Sequence, residues 1–230
     1  MFEKFDAIFF DIDGTLVNLF SVHIQSYRDT FKKITGIDES NPRFFSDLFK
    51  LGTDKAVWKR ALELKGQKPT DSLVQKLVHA RPSEFERLIL RVSKAGVLPG
   101  VLTALKYLKK SGKRLFVFSG NTRKLSEMIL SKTELAVFFE RGFFSSDSSA
   151  IKNKESLFRF ALQKSKIPKN LALAVGDTPN DVLAAQKLGM GALAVATGYH
   201  SVRELKAIRY GRVISRLPSK IVKIRPRNKK

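Results

Sequence analysis

The spacing of apolar positions changes period along this chain, and the changes outline its architecture. Ala7 to Phe10 is an unbroken apolar run that stops at Asp11-Ile12-Asp13-Gly14; Arg114 to Phe118 and Leu171 to Val175 repeat the pattern, ending in Ser119-Gly120-Asn121 and Gly176-Asp177. Short runs of this kind predict strands buried on both faces, and the glycines mark where they stop. After Leu16 the apolar residues recur at three and four instead. That spacing predicts helices over 19–33, 44–51, 54–65, 71–80 and 83–93, punctuated by Pro42, Gly52, Gly66-Gln67-Lys68-Pro69 and Pro82, with no buried-strand run among them. The expectation is an α/β protein: a parallel-sheet core from residues 1–17 and 94–215, a helical insert over 18–93, and a basic C-terminal arm over 216–230.

The polar residues that end the strands carry the candidate chemistry. Asp11 and Asp13 lie at the carboxyl end of the first strand, where open parallel sheets bind their ligands, and period two puts both on one side. Carboxylates this close repel unless a cation or a shared proton compensates. An isolated Asp-Gly is more often a turn with a solvated acid. Here, however, a second strand also ends in acids: Asp181 follows Asp177 by four residues, across a turn that feeds the helix-forming Val182-Leu183-Ala184-Ala185. Two acidic strand ends in one sheet make a hard-cation site of oxygen ligands, as magnesium prefers. The hydroxyl of Ser119, the bare backbone of Gly120 and the amide of Asn121 suit phosphate oxygens. Lysines at 152 and 154 begin a further helical segment.

In this order the segments resemble the four motifs of the haloacid-dehalogenase superfamily, and within it the phosphoglycolate-phosphatase-like branch. Leu98-Pro99-Gly100-Val101 and Ala184-Ala185-Gln186-Lys187-Leu188-Gly189-Met190 extend the resemblance to roughly residues 5–200. It implies a Rossmann-like core with a helical cap that closes over substrate. It also implies a magnesium-dependent phosphatase acting on a small phosphomonoester such as phosphoglycolate. By the same resemblance Asp11 is the nucleophile that forms an aspartyl-phosphate, and Asp13 is the general acid and base. Mg2+ is held by Asp11, the backbone carbonyl of Asp13, Asp177 and Asp181; Ser119, Gly120 and Asn121 hold the phosphoryl oxygens, and a lysine offsets developing charge. Two registers of the family compete for that lysine. Lys152, twenty-five residues before Asp177, lacks the usual following proline; Lys154, twenty-three before, lies in a run, Asn153 to Leu157, that matches the other register.

The superfamily also holds dehalogenases and phosphoglucomutases. The presence of Asp13, Asp177 and Asp181 argues against dehalogenation, and a mutase needs further groups on the cap, for which His23 is the nearest candidate. His79 and His200 have no supporting pattern. Phe20, Phe44, Phe45, Phe49 and Trp58 are expected to form the insert's own core rather than a pocket. Arg28, Arg43, Lys55 and Arg60 are expected on a solvated face.

The charge is not what a phosphatase predicts. Forty-three Lys and Arg against twenty-one Asp and Glu give +22, and 203–230 holds eleven basic residues with one acid, Glu204. Residues 220–230 alternate apolar and basic positions and read as an edge strand leading into a polar tail. Surface solubility with attraction of small anions is the plainest reading. Nucleic-acid contact through the arm, either as a separate role or on a nucleotide-directed phosphatase, is a second, and an anionic membrane surface a third. The chain has no cysteine, so neither disulfides nor thiol chemistry are available. No early segment has the layout of a secretory signal and no apolar run approaches a membrane span, so a cytoplasmic location is expected.

Overall fold

The protein was analysed as a computed structural model that describes residues 2–49, 51, 53–91, 96–208 and 212–218. It divides into two compact units, Met1–Asn18 with Ser93–Lys230 and, between them, Leu19–Val92.

The first unit is built on a parallel sheet of β1 (Ala7–Asp11), β2 (Arg114–Ser119), β3 (Arg141–Phe144), β4 (Ala172–Gly176), β5 (Gly191–Val195) and β6 (Arg212–Ile214). The strands lie in the order β3-β2-β1-β4-β5-β6. Chain order therefore reverses between β1 and β4, and at such a switch point the connections leave the sheet on opposite faces and open a crevice at the carboxyl ends. Phe10 stands level with Val117 of β2 and Val175 of β4, so the residues that follow in all three strands reach that edge together.

Both faces of the central strands are buried, which is why their sequences run apolar without alternation. On one face Phe9, Phe116, Phe118, Phe143, Ala172 and Ala174 pack with Leu157, Phe158 and Ala161 of α7 (Lys154–Ser165) and Ala185 of α8 (Pro179–Lys187). Phe9 stacks on Phe116 at 4.8 Å between ring centroids. The alternate residues Ile8, Phe10, Leu115 and Val117 are buried too, and each such side chain withdrawn from water contributes about 1.5–3 kcal/mol. The remaining helices of this unit are α5 (Val101–Lys110), α6 (Arg123–Lys132) and α9 (Val202–Ala207). Past β6, Leu217 is buried and its backbone passes so close to Gly100 that a Cβ there would lie 2.1 Å from the Leu217 carbonyl oxygen. The strand read over 220–230 lies outside the described residues.

The second unit contains α1 (Phe20–Thr35), α2 (Phe44–Phe49), α3 (Asp54–Leu64) and α4 (Asp71–Ile89). Its core joins Tyr27, Phe31, Phe45, Trp58, Leu62 and Leu77, with Phe20, Phe44 and Phe49 packed against it. The aromatic residues of the insert thus make its interior. Arg28 donates to the Glu39 carbonyl and Arg60 pairs with Glu63. Two expected helices, 71–80 and 83–93, are one. Pro82 lies inside α4 and can give no amide hydrogen bond to the turn before it. The helix continues because Val74 and Leu77 before the proline and Phe85, Leu88 and Ile89 after it are all buried. Its neighbour Arg81 is also fastened by side-chain contacts: Nη1 donates to both oxygens of Asp54 at 2.9 Å, Nε to Ser26 Oγ at 3.2 Å, and the guanidinium lies 4.0 Å over the Tyr27 ring.

Candidate active site

The carboxyl ends of β1, β2 and β4 deliver the polar residues of the site. Asp11 is the last residue of β1 and is buried. The chain then turns, with Gly14 N–H donating to the Val17 carbonyl at 2.8 Å, and this turn presents Asp13 beside β2. Asn121 Nδ2 donates to Asp13 Oδ2 at 2.8 Å, and the Asn121 amide donates to Ser119 Oγ at 3.1 Å. Gly120 is exposed, with open space where a Cβ would stand, so a ligand can approach its backbone closely.

At the end of β4, Asp177 and Asp181 are each 1% exposed. Asp181 belongs to the first turn of α8, where Thr178 caps the helix: Thr178 Oγ1 accepts from the Asp181 amide at 3.3 Å and donates to Asp181 Oδ2 at 2.6 Å. Asp177 is enclosed by backbone. A Cβ at Gly14 would stand 2.4 Å from Asp177 Oδ2, and one at Gly198 only 1.7 Å from it. Only glycine leaves that oxygen its place, and at Gly14 the φ of +73° independently favours glycine.

Lys154 begins α7, whose cap Asn153 accepts from the Ser156 amide at 2.9 Å. Its ammonium reaches Asp11 Oδ1 at 2.7 Å and Asp181 Oδ1 at 2.9 Å, and lies 4.6 Å over the Phe118 ring. Lys152 does not enter this cluster. It is exposed, and its backbone amide donates to Ser156 Oγ.

Burial dominates the electrostatics. It pushes the Asp11 carboxyl up to about 7, against the pull of Lys154, and Asp181 and Asp13 raise it further. Burial, then the charges of Asp11 and Asp181, also hold Asp177 well above the usual carboxylate range. For Lys154 burial works against the charged form, but Asp11 and Asp181 outweigh it and keep the amine protonated.

Asp11, Asp177 and Asp181 can each present an oxygen within 4.8 Å of the others, and Asp177 Oδ2 is buried without a hydrogen-bond partner. Three buried carboxylates with one ammonium leave negative charge uncompensated, and an all-oxygen donor set of this size fits a hard divalent cation such as Mg2+.

The structure brings together Asp11, Asp13, Asn121, Lys154, Asp177 and Asp181, with Ser119 and Gly120 alongside, and leaves out Lys152. Sequence reasoning missed several supports. Thr15 Oγ1 points to Asp177 Oδ1 at 3.5 Å, and Thr197 Oγ1 donates to the Gly14 carbonyl at 2.6 Å. The Thr178-Pro179-Asn180-Asp181 box was readable as a helix start; nothing in the sequence singles out Gly198 or Thr197.

The family model for haloacid dehalogenase-like hydrolases matches residues 5–189, which hold every site segment from Asp11 to Asp181. The chain belongs to that family. It is 25% identical to the protein CbbY of Rhodobacter capsulatus over 197 residues, covering 84% of this chain and 86% of that one. To the phosphoglycolate phosphatase of Pseudomonas savastanoi pv. phaseolicola it is 31% identical over 111 residues, 47% of this chain and 40% of the relative. Among solved structures, a haloacid dehalogenase-like family protein from Streptococcus pneumoniae superposes with a TM-score of 0.78 at 20% identity, over 94% of this chain and 96% of that one. The family and the Rossmann-like parallel-sheet fold expected of it are therefore both found. Among the described residues no helix is long and apolar enough to cross a membrane.

Proposed function

We propose that the chain is a magnesium-dependent phosphatase that hydrolyses a small phosphomonoester of the phosphoglycolate kind through an aspartyl-phosphate on Asp11. The observation that carries this reading is the contact of one half-buried ammonium, Lys154, with both Asp11 and Asp181 beside the partnerless Asp177 Oδ2. A carboxylate so held has a fixed direction of attack.

Asp11 attacks phosphorus as the bond to the alcohol oxygen breaks. Asp13 gives that oxygen its proton, leaving as the free alcohol, and then takes a proton from the water that attacks the phosphorus of the aspartyl-phosphate. Inorganic phosphate departs and Asp11 is restored. Asn121 supports the Asp13 role by fixing one of its oxygens at 2.8 Å. Ser119 and the open backbone at Gly120 suit the phosphoryl oxygens, while Lys154 balances their developing charge. Asp11, Asp177, Asp181 and the Asp13 carbonyl would hold Mg2+, which would supply charge neutralisation between the carboxylates and the phosphate. The excess of basic residues favours attraction of anionic substrates.

The phosphoglycolate phosphatase among the relatives supports both phosphate-ester chemistry and a small substrate. The mutase reading loses its candidate group. Arg81 Nη2 donates to His23 Nδ1 at 2.6 Å, and His23 stacks on Phe85 at 4.3 Å, so this buried ring is engaged inside the helical unit. No described feature favours nucleic acid or a membrane surface, and residues 219–230 of the basic arm lie outside the described residues.

The test is hydrolysis of para-nitrophenyl phosphate by the parent and by Asp11→Asn, with Mg2+ and with a chelator. Turnover is expected only for the parent with Mg2+. Near-parental turnover by Asp11→Asn removes Asp11 as nucleophile, and turnover that survives chelation removes the metal.

A further inference from the structure

The turn that carries Asp13 is held by groups from two other strand ends. Past β2, Asn121 Nδ2 donates to Asp13 Oδ2 at 2.8 Å and so fixes the carboxylate. Within the turn, Leu16 N–H donates to the Ile12 carbonyl at 2.9 Å and Gly14 N–H to the Val17 carbonyl at 2.8 Å. The Gly14 carbonyl accepts instead from Thr197 Oγ1 at 2.6 Å, a residue 183 positions away in the loop that follows β5.

Thr197 stands on an anchored segment. The Ala196 amide before it donates to the Ile214 carbonyl of β6 at 2.9 Å. After it, Gly198 comes so near the turn that a Cβ on Gly14 would lie 2.9 Å from the Gly198 Cα. Gly14, at a φ of +73°, belongs to the residue type with the widest backbone freedom. Its two dihedrals are settled by the peptides on either side: Val17 holds the one shared with Asp13, and Thr197 holds the one shared with Thr15. Without the hydroxyl the second peptide is released, and the Asp13 backbone can drift with it.

We infer that Thr197 is a positioning residue for proton transfer by Asp13: its hydroxyl fixes the Asp13-Gly14 turn against the β5 loop, as Asn121 fixes the carboxylate against β2. The inference rests on the phosphatase reading and deepens it. In the step concerned the bond from Asp11 to phosphorus forms and the bond from phosphorus to the leaving oxygen breaks. The Asp13 proton passes to that oxygen, which departs as a neutral alcohol. Asp11 itself belongs to β1, whose place is set by its ladders to β2 and β4, so loss of the Thr197 hydroxyl weakens protonation and spares attack.

The experiment compares kcat/KM for phenyl phosphate and para-nitrophenyl phosphate, at saturating Mg2+, in the parent, Thr197→Val, Thr197→Ala, Thr197→Ser and Asp13→Asn. The two esters are similar in shape, but phenolate is the more basic leaving group and depends more on the proton. A misplaced general acid therefore widens the ratio of nitrophenyl to phenyl kcat/KM, whereas general loosening of the fold lowers both values alike. Asp13→Asn is expected to widen the ratio about 10²-fold, the scale of losing a general acid. Thr197→Val and Thr197→Ala are expected to widen it about tenfold, the scale of a small misplacement, and Thr197→Ser, which keeps the hydroxyl, to stay within about twofold of the parent. A parental ratio in either hydroxyl-free variant, or a serine variant that widens the ratio as much as valine does, overturns the positioning role and leaves the phosphatase reading standing. Asp13→Asn with a parental ratio overturns proton transfer by Asp13 and the inference with it. A parent that hydrolyses neither ester overturns the phosphatase reading as well.

Discussion

Lys154 Nζ lies 2.7 Å from Asp11 Oδ1 although 143 residues separate them in the chain. The distance is set by two independent local structures: β1 ends at Asp11, and the capped first turn of α7 starts at Lys154. Neither residue chooses the other. The sheet and its packed helix bring them together.

Lys154→Ala is expected to lower kcat for an aryl phosphate by about 10²–10³-fold, the scale for losing one preorganised charge-stabilising group. Lys152→Ala is expected to stay within about twofold, because its ammonium is outside the cluster. Steady-state kinetics on both variants decides between them, and the reverse order would relocate the catalytic lysine.

Gly198→Ala tests the seat of Asp177. The new methyl would overlap Asp177 Oδ2 at 1.7 Å, so the carboxylate must move. Displacing a group that orients a metal ligand costs about 10–100-fold in metal affinity or activity. The Mg2+ concentration for half-maximal turnover should rise accordingly, with the circular dichroism spectrum unchanged.

Arg81→Met tests the polar interior of the helical unit. The arginine side chain is 11% exposed and that of Asp54 28%, so the variant leaves a partly buried carboxylate without its bidentate partner. The expected loss is about 2–4 kcal/mol, toward the lower part of the range for broken buried pairs because Asp54 keeps some solvent. Trp58 is the single tryptophan and lies wholly buried in this unit, so its fluorescence during urea unfolding reads the loss directly. A shift no larger than that of a surface substitution would show the network to be ornamental.

Glu84 gives a pH dependence. Hydrogen bonds from Lys33 and then Arg87 hold its carboxyl below the usual range. The folded state therefore binds its proton less readily than the unfolded chain. Its stabilising contribution is complete above the unfolded glutamate value of about 4.3 and is lost as pH falls below that through the folded value. The stability gap between parent and Glu84→Gln, followed by Trp58 fluorescence, should be constant from pH 7 to 5 and close progressively as pH falls below about 4.3. A gap that widens on acidification would contradict the sign.

The legible parts of the fold were those in which composition and position agree. β1, β2 and β4 announced themselves because central strands are apolar on both faces and end abruptly in polar residues. β3 reads Arg-Gly-Phe-Phe and β5 Gly-Ala-Leu-Ala-Val; the first is an edge strand with a charge and a glycine, and the second has a composition that suits helix equally well. Pro82 misled because local chemistry forbids what burial on both sides of it enforces. In the site, the acids were readable as strand ends. Lys154 was favoured over Lys152 by its register in the run from Asn153 to Leu157 alone; its contact with Asp11 depends on where α7 starts relative to β1, and the clearance that Gly198 gives Asp177 is a relation between two loops with no trace in either.

The central place of β1 also sets a timetable. Its two neighbours are β2, whose Arg114 stands opposite Ala7, and β4, whose Ala172 stands on the other side of the same residue. At synthesis rates of ~5–20 residues per second, the strand emerges first and waits roughly 8–30 seconds for its second partner. The helices of residues 19–92 need only local contacts and can close meanwhile. A strand with one edge held open that long is a target for chaperones or for neighbouring chains, so nascent chains halted before Ala172 are expected to carry a folded helical insert and a β1 that has β2 on one side and a sticky, unpaired edge on the other.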